Sequence, residues 1–330
     1  MKTNFKPQME FDRINLGESS PLLSPMVIYI ESSSYCNLKC NFCPQYLDPD
    51  NLNKQNMDLD IFKKSIDDIK KFPNKLAKLR MCGTGDPTFN KKLPEMLYYA
   101  KENENFLKFE LITNGLLINE KLINSFSDNL DRLIISIEGL NEEKYLKFTN
   151  TKINYPKFMD KLNKLYENKK NCKIHIKIHN NAVLTEEEKK IFLGNFSDIA
   201  DEIYIENLVD LWPETDSSYV TSQDHRFIKS KPKKINVCSQ IFKTMQINSD
   251  GSVIPCSIDW KAINKIGNVA EENLLSIWNG KKMKEIRLKH LKGKRFDISP
   301  CLSCSFNEVS DNDYIDDYTE KILEKIQPNI

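Results

Sequence analysis

Nine cysteines carry the densest chemical signal in this 330-residue chain, and they are not spread evenly. Cys36, Cys40 and Cys43 fall in the run Cys36-Asn37-Leu38-Lys39-Cys40-Asn41-Phe42-Cys43, with spacing C-x3-C-x2-C. Three soft thiolates this close can wrap one face of a metal centre. Tetrahedral zinc needs a fourth ligand, and no His or further Cys lies nearby in the sequence. A [4Fe–4S] cluster held by three cysteines instead leaves one iron open to a substrate or cofactor. Simple apolar packing accounts poorly for the triad, because Asn and Lys are interleaved with it. Cys238, Cys256, Cys301 and Cys304 form a second set. Two of them bracket a hairpin signal and two make a C-x2-C, a pattern that by spacing alone suits either zinc or [4Fe–4S].

Composition narrows the setting. Forty-eight basic side chains against 47 acidic ones give a net charge of +1, so there is no basic nucleic-acid footprint and no acidic tail. Met1 to Arg13 lacks the continuous apolar core of a signal peptide. The apolar stretch near Leu22 to Ile30 is interrupted by Ser24 and Pro25 and is too short to span a bilayer. The expectation is a reducing cytoplasmic setting, where clustered cysteines bind metal or do redox work rather than pair. Glycine is scarce, at ten, against about twice that at an average usage of roughly 7%.

The elements that must position the cysteines follow from the alternation of β-branched runs with amphipathic stretches. Strands are predicted at Val27–Glu31, Leu79–Cys82, Leu107–Thr113, Leu133–Ile137, Lys173–His179 and Glu202–Glu206. Helices are predicted at Leu59–Phe72, Lys92–Asn103, Asn119–Phe126, Pro156–Asn168 and Thr185–Phe196. Six strands alternating with helices predict an α/β fold with parallel β/α units. Gly83, Gly85, Gly115 and Gly139 fall just past strand C-terminal ends, where such folds build ligand sites. Residues 208–237 read as a polar linker or lid containing Pro213, Ser217, Ser218, His225, Ser230 and Pro232. Ile241–Ile247 and Ser252–Cys256 then flank Asn248-Ser249-Asp250-Gly251 as a hairpin. Helical patterns follow near Leu274–Asn279, Lys281–Leu291 and Tyr318–Ile326. The expected division is an N-terminal extension over 1–26, the β/α unit over 27–207, the linker over 208–237 and a small hairpin-plus-helices domain over 238–330.

The first cysteine run resembles the CxxxCxxC motif of radical S-adenosylmethionine (SAM) enzymes, including the aromatic Phe42 before the third cysteine. The resemblance extends over most of 27–207. Gly83-Thr84-Gly85-Asp86-Pro87 looks like the family's GGEP motif, with Asp86 where Glu is usual, which keeps the charge and shortens the reach. Thr113-Asn114-Gly115 and Ser136-Ile137-Glu138-Gly139 sit where similar enzymes place SAM contacts. The resemblance implies a partial (β/α)6 TIM-like barrel. It also implies a first [4Fe–4S] cluster on Cys36, Cys40 and Cys43, whose fourth iron chelates SAM. Phe42, Gly83, Gly85, Asp86, Pro87, Asn114, Ser136 and His179 would then bind SAM. Cleavage to a 5′-deoxyadenosyl radical, fed by a flavodoxin or ferredoxin-type electron donor, belongs to the same expectation. The second set is similar to the SPASM/twitch extension of these enzymes. Full SPASM domains hold seven cysteines, whereas the residues after Cys304 read Ser-Phe-Asn-Glu-Val-Ser. One auxiliary [4Fe–4S] cluster on Cys238, Cys256, Cys301 and Cys304 is therefore expected, closer to the twitch form. Cys82, next to Gly83, reads either as a hydrogen-atom donor to a substrate radical or as a small core residue, and Cys172 as structural.

Alternation along strands puts Tyr29, Glu31 and Ser33, then Ser136 and Glu138, then Lys173, His175, Lys177 and His179, then Tyr204 and Glu206, inside the barrel. Barrel cores are normally packed with branched apolar residues, so this interior suggests a pocket for a hydroxylated or charged small molecule. The favoured activity is oxidation of a carbinol in a sugar or aminocyclitol, with Glu206, Glu138 or His179 as base and the second electron passing to the auxiliary cluster. The expectation of a small substrate also draws on there being only some 26 residues before the first strand. Peptide or protein modification, a redox-neutral epimerase using Cys82, and a zinc-stabilised binding module are the rivals.

Overall fold

A computed structural model describes residues 3–7, 14–215, 218, 235–310 and 313–327. Most of the predicted linker, with Ser217, His225, Ser230 and Pro232, lies outside the described residues. Ten strands form one continuous sheet: β1 Asn4–Phe5, β2 Val27–Ile30, β3 Lys78–Met81, β4 Phe109–Thr113, β5 Arg132–Ile137, β6 Lys173–His179, β7 Glu202–Glu206, β8 Thr244–Ile247, β9 Ser252–Ile254 and β10 Gly267–Asn268. Their order is β1-β7-β6-β5-β4-β3-β2-β8-β9-β10. The six predicted strands are β2 to β7, parallel throughout and adjacent in chain order, with a helix in each crossover. This is the half-open (β/α)6 barrel with a smaller cysteine-bearing unit after it.

Local chemistry explains the helix starts. Asp58, Asn119, Asn141, Asn154 and Thr185 each accept a backbone N–H of the first turn that would otherwise go unsatisfied. Thr185 and Glu188 complete a reciprocal capping box. Besides the four-residue helical turns Leu16–Ser19, Pro44–Leu47, Gln240–Lys243 and Phe306–Val309, the helix Glu142–Thr149 was not predicted. It has only eight residues and buries only Tyr145, Phe148 and Thr149, too short a repeat to announce its period.

Both edges of the barrel sheet depart from the sequence reading. Asn4 and Phe5, within the expected N-terminal extension, pair in parallel with Glu202 and Ile203 and lengthen the sheet at β7. At the other edge β8 pairs in parallel with β2, and β9 returns antiparallel to it. The predicted hairpin is therefore present, but it extends the barrel sheet. Its first strand is also shorter than predicted, because Gln240–Lys243 forms a helical turn. Ile241 and Phe242 there pack with Leu16, Val237, Leu291, Ile315 and Ile322 in a second, smaller core. The main core lies between the sheet and its flanking helices and takes Ile28, Leu79, Leu111, Leu133, Ile176 and Ile203 from the outward strand positions.

Most inward positions are polar, as the alternation predicted, although the same parity puts Ile112 and Ile134 inside and Lys173, at the start of β6, is exposed. At the bottom of the barrel Glu110 pairs with Lys78 at 3.0 Å and with the Arg80 Nε at 2.9 Å. Arg132 reaches Glu202 at 2.6 Å, and His175 Nδ1 stands 2.7 Å from Arg132 and 3.2 Å from Glu202. This buried ionic layer closes the floor, and the cavity opens above it.

Candidate active site

The cysteine loop leaves the C-terminal end of β2 and is fastened on three sides. Lys39 and Asn41 donate backbone bonds to Thr149 and Phe148 at the end of the Glu142–Thr149 helix. Gln45, in the short helix that Cys43 caps, donates to the carbonyls of Ser34 at 2.7 Å and Thr84 at 3.1 Å. Asn114 donates to Asn37 Oδ1 at 2.9 Å and stands 3.7 Å from the Cys36 Sγ. The three thiols are half-buried and free. Burial pushes Cys36 up to about 12 and Cys43 up to about 11, and raises Cys40 well above the ordinary thiol range, with neighbouring thiols adding to the rise at Cys36 and Cys40. Three thiols that mutually oppose ionisation form a donor set whose charge a cationic iron cluster would neutralise.

The glycine turn packs directly on this loop. A Cβ at Gly83 would lie 2.4 Å from the Glu31 side chain, and one at Gly85 would lie 2.4 Å from the Ser33 carbonyl oxygen. Glu31 is buried and clamps two turns at once. It accepts from the Thr84 N–H at 2.8 Å and hydroxyl at 2.6 Å, and from the Ser249 N–H at 3.3 Å and hydroxyl at 3.2 Å. It thereby ties the glycine turn to the tip of the β8–β9 hairpin. Asp86 is buried too, and its oxygens accept from Thr88, from the Thr113 hydroxyl and from the Asn114 N–H at 2.8 Å. Its carboxylate is thus engaged in holding Asn114 and the turn, and Pro87 opens the short helical turn that follows.

Phe42, Ser136, Glu138, Lys177, His179 and Glu206 line one cavity of about 220 Å³, closed on one side by the segment from Asn207 to Trp212. Phe42 and Phe148 approach the His179 ring edge-on at centroid distances of 5.1 and 4.7 Å. Burial drives the His179 imidazole down to about 3, so it is neutral, and neither ring nitrogen has a hydrogen-bond partner among the described residues. Its Nε2 lies 3.6 Å from Glu138. Burial also raises Glu138 to about 7, against the pull of Lys177. Lys177 and Glu206 form a 2.5 Å ion pair in the same cavity. Orphaned ring nitrogens beside carboxylates and an aromatic wall suit an adenosyl cofactor and a polar substrate. Gly83, Gly85, Asp86 and Cys82 are not among the residues lining this cavity. Cys82 continues the inward alternation of Lys78 and Arg80, and its thiol, raised by burial to about 11, is influenced by Arg80, Glu110, Glu31 and Lys177.

At the other end of the sheet Cys256 follows β9. Burial raises its thiol strongly, with further contributions from Cys238, Cys304 and Cys301. All four thiols are therefore electrostatic neighbours. Among the described residues no three His, Cys, Asp or Glu side chains close on a single ion. A multi-iron cluster spreads its thiolates more widely than one zinc does and fits such a set. The Glu31–Ser249 clamp and the inward charges of β3, β4 and β5 were missed by sequence reasoning. For Lys78, Arg80, Glu110 and Arg132 the signal existed, since they occupy alternate inward positions. For the clamp no sequence signal existed, because its partners are 218 residues apart.

A thiol triad at a strand end, a glycine turn packed on it and a polar half-barrel form an arrangement that fits a cluster-bearing enzyme. Residues 30–188 match the radical SAM superfamily, and residues 238–305 match the SPASM iron–sulfur cluster-binding domain. The chain carries a radical SAM domain followed by a SPASM domain, and it is a radical SAM enzyme that cleaves SAM to a 5′-deoxyadenosyl radical. It is similar to the tungsten-containing aldehyde ferredoxin oxidoreductase cofactor-modifying protein of Pyrococcus furiosus, at 26% identity over 86% of this chain and 88% of that one. Among solved structures, BtrN in complex with AdoMet and 2-DOIA aligns at TM-score 0.56 and 17% identity, covering 89% of this chain and 97% of BtrN. Native anSMEcpe with AdoMet and the Cp18Cys peptide aligns at TM-score 0.58 and 17% identity, covering 92% and 97%. Both share the fold. No helix among the described residues is long and apolar enough to cross a membrane.

Proposed function

We propose that this chain oxidises a carbinol carbon of a small polar metabolite, a sugar or an aminocyclitol, with Glu206 as the base. In this reading Cys36, Cys40 and Cys43 hold the first [4Fe–4S] cluster, and Cys238, Cys256, Cys301 and Cys304 hold one auxiliary cluster. Phe42, Gly83, Gly85, Pro87, Asn114, Ser136 and His179 bind SAM, and Asp86 acts by fixing Asn114. The barrel unit occupies 27–207, the linker 208–237 and the auxiliary unit 238–330.

The observation that carries the reading is the Lys177–Glu206 pair inside the polar cavity of about 220 Å³. SAM held at the cluster of Cys36, Cys40 and Cys43 would supply the radical chemistry that takes one hydrogen atom, and a cluster held by Cys238, Cys256, Cys301 and Cys304 would supply an acceptor for the second electron. Glu206 accepts the hydroxyl proton, which completes the loss of two electrons and two protons from alcohol to carbonyl. Lys177 holds the carboxylate in place through their 2.5 Å ion pair. His179, neutral and edge-packed by Phe42 and Phe148, offers its ring nitrogens to the adenosyl group or the substrate. The wild-type enzyme, given candidate sugars and aminocyclitols anaerobically, is expected to form 5′-deoxyadenosine and carbonyl product in equal amounts. Glu206→Gln should lower product formation by about 10²–10⁴-fold with SAM binding and iron content unchanged. Full activity in that variant, or turnover on peptides alone, would remove the proposal.

A second reading rests on Cys82. Its inward position at the end of β3 suits a redox-neutral epimerase in which the thiol returns a hydrogen atom to the substrate radical. Under that reading Cys82→Ala still cleaves SAM but forms no epimer. Solvent-deuterium incorporation, followed by mass spectrometry, separates the two: deuterium at the reacting carbon favours the epimerase.

A further inference from the structure

Arg295 is a buried cation with no counter-ion among the described residues. It is 6% exposed, makes no ion pair or hydrogen bond there, and leaves its Nε buried without a partner. Its guanidinium carbon stands 4.5 Å from the centroid of the Phe296 ring, which covers one face of the charge. His290, five residues earlier, supplies no negative charge. Burial, helped by Arg295, drives its imidazole down to about 3, so it is neutral. Arg287, the other buried arginine of this region, is accounted for by the fold. It donates to the carbonyls of Ile241 at 3.0 Å and Trp278 at 3.3 Å and lies over the Trp278 ring. An unpaired charge in the interior is costly, because nothing replaces the water it gave up. Something must balance Arg295.

Its place in the fold identifies the candidate. The helical turn Arg295–Asp297 leads directly into the segment Cys301-Leu302-Ser303-Cys304. Burial raises the Cys238, Cys301 and Cys304 thiols, and Arg295 opposes that rise at all three. Thiols from two distant stretches of the chain therefore share one buried cation. Lys243 also acts on Cys238, but its ammonium is bound to Asp313. Asp259 acts on Cys301, and Asp210 on Cys304, in the sense opposite to Arg295. The Asp259 carboxylate is turned to the backbone N–H groups of Ile263 at 3.0 Å and Asn264 at 2.8 Å. Of the two cations, Arg295 is the one that no carboxylate of the described residues neutralises.

We propose that Arg295 is the buried counter-cation of the auxiliary cluster, a positioning residue that holds its reduction potential up for the electron leaving the substrate. The inference rests on the assignment of Cys238, Cys256, Cys301 and Cys304 as ligands of one [4Fe–4S] cluster, and not on the identity of the substrate. Four thiolates on such a core leave a net negative charge, and uptake of one electron adds one more. A fixed cation in a low-dielectric setting favours the more negative form and so raises the potential. The substrate radical is oxidised by one electron as the cluster is reduced by one. Arg295 gains and loses no proton in that step.

The test is a redox titration of the holoenzyme with SAM bound, followed by electron paramagnetic resonance. The auxiliary cluster gives the signal that SAM leaves unchanged. Arg295→Met removes the charge and keeps much of the side-chain length. It is expected to weaken reduction of the auxiliary cluster at least tenfold, a downward shift of about 59 mV for a one-electron couple. The SAM-sensitive cluster should stay within threefold. Arg295→Lys, which keeps the charge, should hold the auxiliary cluster within threefold of wild type. So should Lys294→Met, because that neighbouring charge is exposed and screened by water. The signal comes only from loaded molecules, so a partial loss of iron does not obscure the midpoint. An unchanged midpoint in Arg295→Met overturns the proposal. An Arg295→Lys midpoint as low as that of Arg295→Met also overturns it, by assigning the effect to shape. Complete loss of the auxiliary signal in both variants does the same, since the arginine would then hold the loop and not the potential. A wild-type protein binding only about four irons would instead refute the ligand assignment itself.

Discussion

Gly85→Ala is expected to abolish most SAM binding, whereas Gly194→Ala is expected to be harmless. The added methyl group at position 85 would lie 2.4 Å from the Ser33 carbonyl oxygen and 2.5–2.6 Å from the backbone of Ser34. These atoms cannot easily withdraw. Ser33 bridges to Asn56, Ser34 donates its N–H to Gln55, and Gln45 binds the Ser34 and Thr84 carbonyls together. The strain, about 1–3 kcal/mol for overpacking of this kind, must therefore move either the glycine turn or the start of the cysteine loop. A shift of about 1 Å in a positioned reactant costs roughly 10²-fold, so SAM-dependent turnover should fall by about that factor. Iron at the first cluster should fall with it, while the auxiliary cluster stays loaded. At Gly194, inside the helix Glu186–Phe196, a Cβ meets nothing within 4 Å. Alanine there should stabilise the chain by up to about 1 kcal/mol through helix propensity. Equilibrium dialysis with SAM and iron analysis of both variants check the pair. SAM affinity within threefold of wild type in Gly85→Ala would show that the turn adjusts freely.

Much of this architecture was legible in the sequence because it rests on short-range chemistry. The strands β2 to β7 came from runs such as Lys173-Ile174-His175-Ile176-Lys177-Ile178-His179, in which the isoleucines alternate with polar residues and so specify both the strand and its inward face. The helix at Glu186 came from Thr185 and three acids, a local cap that needs no tertiary partner. The first cysteine set was legible because its three members are close in sequence, and the second through its C-x2-C and the hairpin signal between Cys238 and Cys256. What could not be read depends on distant pairs. The strand Asn4–Phe5 has only two residues and exists because β7 offers an edge. Nothing in Thr244–Ile247 says that, besides pairing within its own hairpin, it will also pair in parallel with β2. The same holds for the site: Glu206 and Lys177 could be assigned to the interior by parity, but their pairing required the register of β6 against β7.

The floor of the barrel is where the largest stability effect is expected. Glu110 is 1% exposed and is surrounded by Lys78, Arg80 and Arg132, the last at 3.6 Å. Burial alone would raise its carboxyl, but the charges of Arg80, Lys78 and Arg132 outweigh burial and bring it down to about 2. Glu202, hydrogen-bonded to His175 and paired with Arg132, is likewise held near 2. Glu110→Gln keeps the volume and removes the charge, which leaves the Lys78, Arg80 and Arg132 head groups against a neutral amide. Breaking one partner of a buried pair costs about 3–5 kcal/mol, and the urea midpoint at pH 7.5 should fall accordingly. The pH dependence follows from the direction of the shifts. A carboxyl lowered in the folded state binds fewer protons there than when unfolded, so its contribution is complete above about pH 5 and is lost as pH falls toward 2. The gap between wild type and Glu110→Gln should therefore narrow steadily through that window, measured on iron-free protein so that acid loss of the clusters does not intrude. A gap that stays constant with pH would assign the cost of the substitution to packing, and the ionic floor would then be a consequence of the barrel's shape and not one of its supports.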